Sequence, residues 1–173
     1  MGMSSTNYLF RIAKLVSVLA IGVMSLLILI GNTTDYYTNY HFVEHVMKMD
    51  TTFPGSNIHY RSIHSVVFFH AVYVFIILME LVMSVCCLWG CWLLLKNLRS
   101  DPATFHRAKN WSVAGLVIGI IIWFFGFEVV GGEWFAMWQS PSWNGLASAE
   151  RILSFLVLTL ILLQFKDESL RND

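Results

Sequence analysis

Apolar residues occur along this chain in four long runs that are separated by shorter polar stretches. The runs occupy about residues 10–31, 66–96, 110–131 and 146–166. Each is at least as long as the roughly 20 residues that an α-helix needs to cross the hydrocarbon core of a bilayer. The pattern predicts an all-α membrane protein in which residues 1–173 form one domain of four transmembrane helices.

The composition agrees with a membrane protein and excludes an ordinary water-soluble core. Hydrophobic residues make up 57% of the 173 residues and charged residues 13%, against roughly 45–50% and 25% in soluble domains. The formal net charge is zero, so nothing indicates nucleic acid as a partner. The first apolar run continues into Gly31 and Asn32 without a cleavage pattern, so we interpret it as an uncleaved helix.

Basic residues are concentrated at one end of the predicted helices. Eight of the 11 Lys and Arg residues flank this end: Arg11, Lys14, Lys96, Arg99, Arg107, Lys109, Lys166 and Arg171. Cytoplasmic connections carry the excess of basic residues in membrane proteins. We therefore predict a multi-pass membrane protein with both termini and the connection between the second and third spans in the cytoplasm, and with two structured outer loops.

The first outer loop contains "HFVEHVMKMD", residues 41–50, in which two histidines have metal-ligand spacing. On a helix, His41, Glu44, His45 and Lys48 form one polar face, and apolar residues take the opposite face. This pattern predicts a short amphipathic helix in the membrane interface, with both histidines solvated. A metal site needs at least a third ligand. We predict no metal, and His41 and His45 are weak candidates.

The second outer loop, "GGEWFAMWQSPSWNG", is rich in tryptophan. Tryptophan commonly anchors membrane proteins at headgroup depth, and the alternative is a surface that binds a lipid, a quinone or a neighbouring protein. The predicted outer-loop binding surface consists of Asp35, His45, Trp134, Trp138, Gln139, Trp143 and Asn144.

Ionisable side chains within the spans predict a polar pocket beneath the outer loops. Glu80 lies well inside the second span, where an ionisable group is a functional candidate by default. The alternative is a glutamate that is hydrogen-bonded to a neighbouring helix. Glu128 and Arg151 are predicted at similar depth, where each alone would be costly, so we expect them to pair. The predicted pocket consists of His70, Glu80, Glu128, Glu133 and Arg151.

The loop sequences resemble a known family. "NTTDYYTNYHFVEHVMKMDTTFPG", "RAKNWSVAG" and "VGGEWFAMWQSPSWNG" are similar to domain-of-unknown-function family 2165, predicted small integral membrane proteins of bacteria. The similar positions include Asp35, Asn39, His45, Asp50, Phe53, Pro54, His70, Glu80, Gly132, Glu133, Trp134, Trp138, Gln139, Trp143, Asn144, Gly145 and Arg151. The resemblance implies a four-helix prokaryotic membrane protein, located in the bacterial inner (plasma) membrane with its two outer loops in the periplasm, and it brings no established activity.

The sequence favours a non-enzymatic accessory or assembly subunit of a larger membrane complex. The chain is small, it carries a G-x-x-x-G of Gly115 and Gly119 that allows close helix packing, and it shows no complete catalytic set. We predict no catalytic residue and no cofactor, and partners that are the lipid bilayer and a membrane protein or a second copy. One alternative is a redox protein that binds haem, quinone or copper near the outer surface. The other is a small proton-coupled transporter that uses Glu80.

Overall fold

The computed structural model describes residues 5–167, and helices dominate that range. The elements are α1 (Ser5–Thr34), α2 (Tyr36–Lys48), α3 (Val66–Lys96), α4 (Pro102–Ala108), α5 (Asn110–Ile120), a π-helix (Ile121–Trp134) that continues α5 directly, and α6 (Leu146–Gln164), with 3₁₀ turns at His59–Arg61 and Met137–Gln139. Within this range the chain contains no strand.

Four helical stretches are long and apolar enough to cross a membrane, which confirms the predicted fold class. They are Thr6–Thr34, Val66–Lys96, Pro102–Trp134 and Leu146–Gln164. The first span extends beyond its predicted end at residue 31, and the third begins earlier than predicted, because α4 leads into α5.

Side chains at the helix starts explain where two elements begin. The Ser65 hydroxyl accepts a hydrogen bond from the backbone N–H of Phe68 and caps α3. Asp101 caps α4 by accepting from the backbone N–H of Thr104, and Pro102 follows in the first turn, where its missing N–H costs nothing. These caps determine the residues at which α3 and α4 begin.

Two glycines allow α3 to approach α5 closely. A Cβ atom on Gly90 would lie 2.5 Å from the backbone nitrogen of Ser112, and one on Gly115 would lie 2.5 Å from the sulfur of Cys87. Both distances are far inside van der Waals contact, so only glycine fits. The G-x-x-x-G that begins at Gly115 therefore packs within the bundle.

The bundle has two dissimilar ends. We call the end formed by residues 31–65 and 131–145 the cap end, since α2 lies there across the spanning helices. The opposite end, formed by the start of α1, the connection before α4, and the residues that follow α6, is the basic end. One of its eight predicted basic residues, Arg171, lies outside the described range.

Arg11 is buried at the basic end, whereas the positive-inside pattern treats it only as a flanking charge. Its side chain is part of the core, with 1% of the residue exposed. The guanidinium donates to the carbonyl oxygens of Leu98 and Ser100 at 3.0 and 2.7 Å, and it lies 4.4 Å above the ring of Phe105. Arg11 thereby ties α1 to the connection between α3 and α4.

A buried carboxylate, Asp167, joins two further cations at this end. Lys14 donates to Oδ1 of Asp167 at 3.0 Å, and Lys109 donates to Oδ2 at 2.8 Å. The two ammonium groups also donate to carbonyl oxygens at the end of α6, Lys14 to Phe165 and Lys109 to Leu163. These bonds fasten the end of α6 to α1 and α5, and they satisfy charges that would be costly to bury alone.

We expect the Asp167→Asn variant to be markedly less stable than the wild type. The substitution keeps the side-chain volume but leaves Arg11, Lys14 and Lys109 without their buried counter-ion. Removing one partner of a buried ion pair typically costs roughly 3–5 kcal/mol. Thermal unfolding in detergent should show a lower midpoint for Asp167→Asn, whereas the exposed Asp35→Asn should leave it nearly unchanged. Equal midpoints for the two variants would contradict the role of Asp167.

The same carboxylate predicts a pH dependence. Burial raises the pKa of Asp167, but the hydrogen bonds from Lys109 and Lys14 outweigh it and hold the pKa below the usual 3.8. A carboxyl whose pKa is depressed by folding stabilises the protein above its unfolded pKa, and this contribution is lost as the pH falls through the folded value. The difference in melting temperature between wild type and Asp167→Asn should therefore shrink when the pH is lowered from neutrality to below 3.8. A constant difference would show that Asp167 stabilises without its charge.

Candidate functional site at the cap end

The predicted amphipathic helix in the first outer loop is present as α2. It spans Tyr36–Lys48 and ends where Met49 adopts a left-handed conformation with φ of 54°. Its apolar face packs on the protein itself, because Val46 and Met47 join a buried cluster with Phe69 of α3 and Phe135. α2 thus covers the cap end of the spanning helices.

His41 belongs to a charged row on the exposed side of α2. Its Nδ1 lies 2.9 Å from a carboxylate oxygen of Glu44, and Lys48 binds the other oxygen of that carboxylate. The hydrogen bonds from Lys48 and His41 lower the pKa of Glu44. The spacing of the three residues is therefore explained by side-chain pairing along one helix. His41 and Glu44 form an i, i+3 pair, and Glu44 and Lys48 form an i, i+4 pair.

His45 takes a different partner. Its Nδ1 lies 2.8 Å from Asp50, and its ring stacks on Trp143 with 4.5 Å between centroids. His45 therefore joins α2 to the second outer loop. Among residues 5–167, no three His, Cys, Asp or Glu side chains are grouped so that they could hold a metal ion.

Two residues of the predicted outer-loop surface, Gln139 and Trp138, join the second outer loop to the first, and a third, Asn144, binds the start of α6. The side-chain oxygen of Gln139 accepts from the backbone N–H of Phe53 at 3.1 Å, and the same Phe53 ring meets Trp138 edge to face. Asn144 accepts from the backbone N–H of Leu146 at 3.1 Å, where α6 begins. Their contacts are thus between the loops and at a helix start.

The remaining members of that predicted surface lie elsewhere in the cap. Trp134 ends the π-helix, and its ring lies beneath the guanidinium of Arg61 at 4.9 Å. Asp35 accepts a hydrogen bond from the Thr38 hydroxyl at the start of α2. In the described range, no hydrogen bond or ion pair joins Asp35 to the other six residues of the surface.

Glu80 is buried between α3 and α1, with 3% of the residue exposed. The side-chain amide of Asn32 lies 2.8 Å from both of its carboxyl oxygens. The Tyr73 hydroxyl donates to the backbone oxygen of Asn32 at 3.1 Å, and the Ser25 hydroxyl donates to the backbone oxygen of Glu80 at 3.2 Å. The carboxyl group is therefore hydrogen-bonded to a neighbouring helix, as the alternative interpretation of Glu80 requires.

His70 lies above this network in a cluster of tyrosines. Its Nδ1 is 2.8 Å from the Tyr36 hydroxyl, and its ring stacks on Tyr40 at 4.2 Å. The Tyr36 ring also meets Tyr73 edge to face at 4.7 Å. We call these three tyrosines, together with His70, Asn32 and Glu80, the His70–Glu80 cluster. It connects α2 to the interior of the bundle.

Asn32 and the three tyrosines are missing from the pocket that the sequence predicts. Asn32 follows the first apolar run, at the cap end, whereas Glu80 lies well inside the second span. Their positions in the sequence therefore do not indicate that they meet. The signal that could have identified the tyrosines is the i, i+4 spacing of Tyr36 and Tyr40 on α2, which places both rings on one face. The direction in which that face points depends on how α2 packs on α3, which the sequence does not show.

The predicted ion pair of Arg151 is wrong. Arg151 is exposed, and within residues 5–167 it makes no hydrogen bond or ion pair. Glu133 is also exposed, whereas Glu128 is half-buried and its Oε1 is a buried oxygen without a hydrogen-bond partner. The expected pairing of Arg151 with Glu128 or Glu133 is therefore absent from the described residues, and the redox alternative stays a prediction.

The π-helix explains this difference. Its hydrogen bonds join residues five apart, so Glu128 and Glu133 come to lie on the same side of the helix. Together with Glu150 of α6 they line a groove of about 520 Å³. Arg151 is the next residue on α6 and does not line this groove. In an α-helix, residues five apart point in different directions, so Glu128 and Glu133 would not share a face.

We expect Glu80 to act as a structural hydrogen-bond acceptor. Glu80→Gln keeps an oxygen that can accept from Asn32 and should lower the unfolding temperature only slightly. Glu80→Leu leaves the half-buried Asn32 amide without this partner, which typically costs about 1–3 kcal/mol for a buried polar group. The double variant Asn32→Leu, Glu80→Leu should lose less stability than the sum of the two single variants, because the two groups are in contact. Additive losses in thermal unfolding would contradict the pairing.

Comparison with known proteins supports the assignment of the chain as a membrane protein. The sequence matches the model of a family described as predicted small integral membrane proteins over residues 10–166. No curated protein and no solved structure matches it. The match covers all four membrane-length helices for nearly their full length. The chain therefore belongs to the DUF2165 family of small integral membrane proteins.

Proposed function

We propose that this protein is a non-enzymatic accessory or assembly subunit of a larger membrane complex. The observation that carries the proposal is the groove lined by Glu128, Glu133 and Glu150, which we call the acidic groove. It lies on an outward face of the π-helix and α6. We propose that a membrane-spanning helix of another protein, with a basic side chain opposite these carboxylates, docks there.

The position of Glu128 supports a partner that carries a positive charge. Glu128 is inside the third span, Pro102–Trp134, and its Oε1 is buried without a hydrogen-bond partner. Ionisable groups at membrane depth are costly and almost always pair with another group. Within the described range no cation binds Glu128, so a cation from another chain would supply the missing interaction.

The outer face of α6 supports the same interpretation. Arg151 and Ser154 are exposed there, beside Phe155 and Leu158, which are 60% and 62% exposed. A surface that mixes a cation without an ion partner among the described residues, a hydroxyl and large apolar side chains is typical of helix association rather than of simple contact with lipid. An acidic or amide side chain of the docking helix would complete the contact with Arg151.

We further propose that the basic end faces the cytoplasm of a bacterial inner membrane. The exposed side chains of Lys96, Arg99, Arg107 and Lys166 are at this end. Basic residues of short connections remain preferentially on the cytoplasmic side. In this orientation α2 and the acidic groove are near the periplasmic surface, where an assembly partner would have to meet them.

Site-specific photocrosslinking tests the docking face. A photoreactive residue in place of Val157, which lines the acidic groove, should form a covalent product with a membrane-spanning protein in intact cells. The same residue in place of Val85, an exposed position of α3, is the matched control and should not form it. Mass spectrometry of the product should identify a captured helix that carries Lys or Arg.

The charge dependence of this product decides the proposal. Glu128→Gln should decrease the yield of the Val157 product, because the proposed partner recognises the carboxylate, while the abundance of the chain stays the same. A product with equal yield in Glu128→Gln, or one with lipid alone at both positions, would contradict the proposal. Recovery of a second copy of this chain as the sole product would replace the accessory role with a homo-oligomer.

A further inference from the structure

A second groove, lined by apolar side chains, lies between α2, α3 and the π-helix. Its volume is about 520 Å³, within the roughly 300–1,000 Å³ of small-molecule sites. We call it the apolar groove, and its lining includes Met47, Phe75, Met79, Phe125, Gly131 and Trp134. It is separate from the acidic groove, and nothing in the accessory-subunit proposal depends on it.

Two glycines of the π-helix leave part of one wall of the groove without side chains. Ile121, Gly126 and Gly131 are five residues apart and follow one line along the π-helix, whose hydrogen bonds have the same spacing. All three line the groove, and two of them are glycine. A Cβ atom added to Gly126 would meet only the carbonyl oxygen of Ile121, at 3.6 Å, so the space beside it is open.

The groove opens toward the hydrocarbon of the bilayer. Phe75 and Phe125, which stand at its rim on two spanning helices, are 60% and 58% exposed. Aromatic side chains exposed at mid-span are in contact with lipid rather than water. A water-soluble ligand would find almost no polar partner inside, whereas an acyl chain could enter from the bilayer without crossing water.

A cation stands at the cap-end mouth of the groove. Arg61 donates from Nη1 to the backbone oxygens of Glu133 and Trp134 at 3.5 and 3.3 Å, and its guanidinium lies over the Trp134 ring. Trp134 is itself part of the groove lining. In the described range Arg61 makes no ion pair, and its Nη2 makes no hydrogen bond. The mouth thus carries a positive charge and free donors at the depth where exposed aromatic residues such as Tyr60 mark the headgroup region.

We propose that the apolar groove binds one acyl chain of an anionic phospholipid, whose phosphate is held by Arg61. The guanidinium group suits phosphate because its donors match two phosphate oxygens at once. Basic sites beside spanning helices are the usual places where anionic headgroups bind. The apolar chain and the charged headgroup are thus matched by adjacent parts of one site.

The lining of the groove favours a lipid chain over a protein helix. Unlike that of the acidic groove, the described lining contains no charged side chain that a spanning helix of another protein could pair with. A flexible hydrocarbon chain can occupy the same space along its length. The lining would contact it through dispersion and hydrophobic burial, which need no directional partner.

Lipid retention by the purified full-length chain tests the proposal. Native mass spectrometry would compare added phosphatidylglycerol with phosphatidylcholine of the same acyl chains. We expect the wild type to retain one phosphatidylglycerol in preference to phosphatidylcholine. Arg61→Gln should weaken phosphatidylglycerol binding about fivefold, which corresponds to about 1 kcal/mol for one basic residue at a membrane surface, and should leave phosphatidylcholine binding unchanged.

A second variant tests occupancy of the groove itself. Gly126→Leu places a side chain in the open space and should weaken the retention of both lipids. The matched controls are Arg99→Gln, which removes an exposed cation at the other end, and Gly31→Leu, where an added Cβ meets no atom within 4 Å. Both controls should bind lipid as the wild type does.

Defined results would overturn the proposal. Wild-type retention in both Arg61→Gln and Gly126→Leu would exclude this site, and an effect of Arg61→Gln without one of Gly126→Leu would exclude the acyl chain from the groove. A protein or a second copy bound in place of the lipid would also overturn it. If Gly126→Leu does not fold, by size-exclusion chromatography, then Ile76→Trp fills the groove from α3 and is judged by the same criterion.

Discussion

Asn32 presents its side-chain amide to both carboxyl oxygens of Glu80, and around this contact α1 and α3 pack against each other along most of their length. Ser25 donates to the backbone oxygen of Glu80, and Ser84 approaches the backbone oxygen of Gly22, so small polar side chains connect the two helices at several depths. A carboxyl group in hydrocarbon is tolerated only when the protein supplies its partners. Because α3 also contacts α2 and α5, the rest of the bundle is assembled on this pair.

Buried charged groups have partners at the basic end of the molecule, but Glu128 lacks one on the outward face of the π-helix and α6 among the described residues. At the basic end, Lys14 and Lys109 share the carboxylate of Asp167, so buried charges are satisfied within the chain. On the outward face of the π-helix and α6, Glu128 has a buried oxygen without a partner and Arg151 is exposed. Two other buried atoms in the described range lack a hydrogen-bond partner, Nε of Arg11 and the Ser112 hydroxyl, but Nε of Arg11 still lies 3.7 Å from the Asp167 carboxylate. Glu128 has no such counter-ion among the described residues, and this is why we propose a second chain at that face.

The π-helix accounts for both grooves. Its wider turn places Glu128 and Glu133 on one side and aligns Gly126 with Gly131 on another, and each alignment lines a separate groove. π-helical segments are rare and occur frequently at functional sites. In this chain the segment converts a plain apolar span into one with a charged side and an open apolar side, both of which suit partners that the membrane can supply.

The sequence by itself determined the four spans and the short helix α2, because run length and apolar periodicity are local properties that each segment carries alone. It also identified Glu80 as a buried ionisable group, though not its partner. Only the tertiary structure decided which charges meet. Lys109 reaches Asp167 across 58 positions of sequence, and Glu128 lines a groove with Glu133 and Glu150, not with Arg151, in the π-helix that follows Ile120. Pairing across the bundle depends on how helices are rotated against each other, and that rotation is set by the packing of the whole chain.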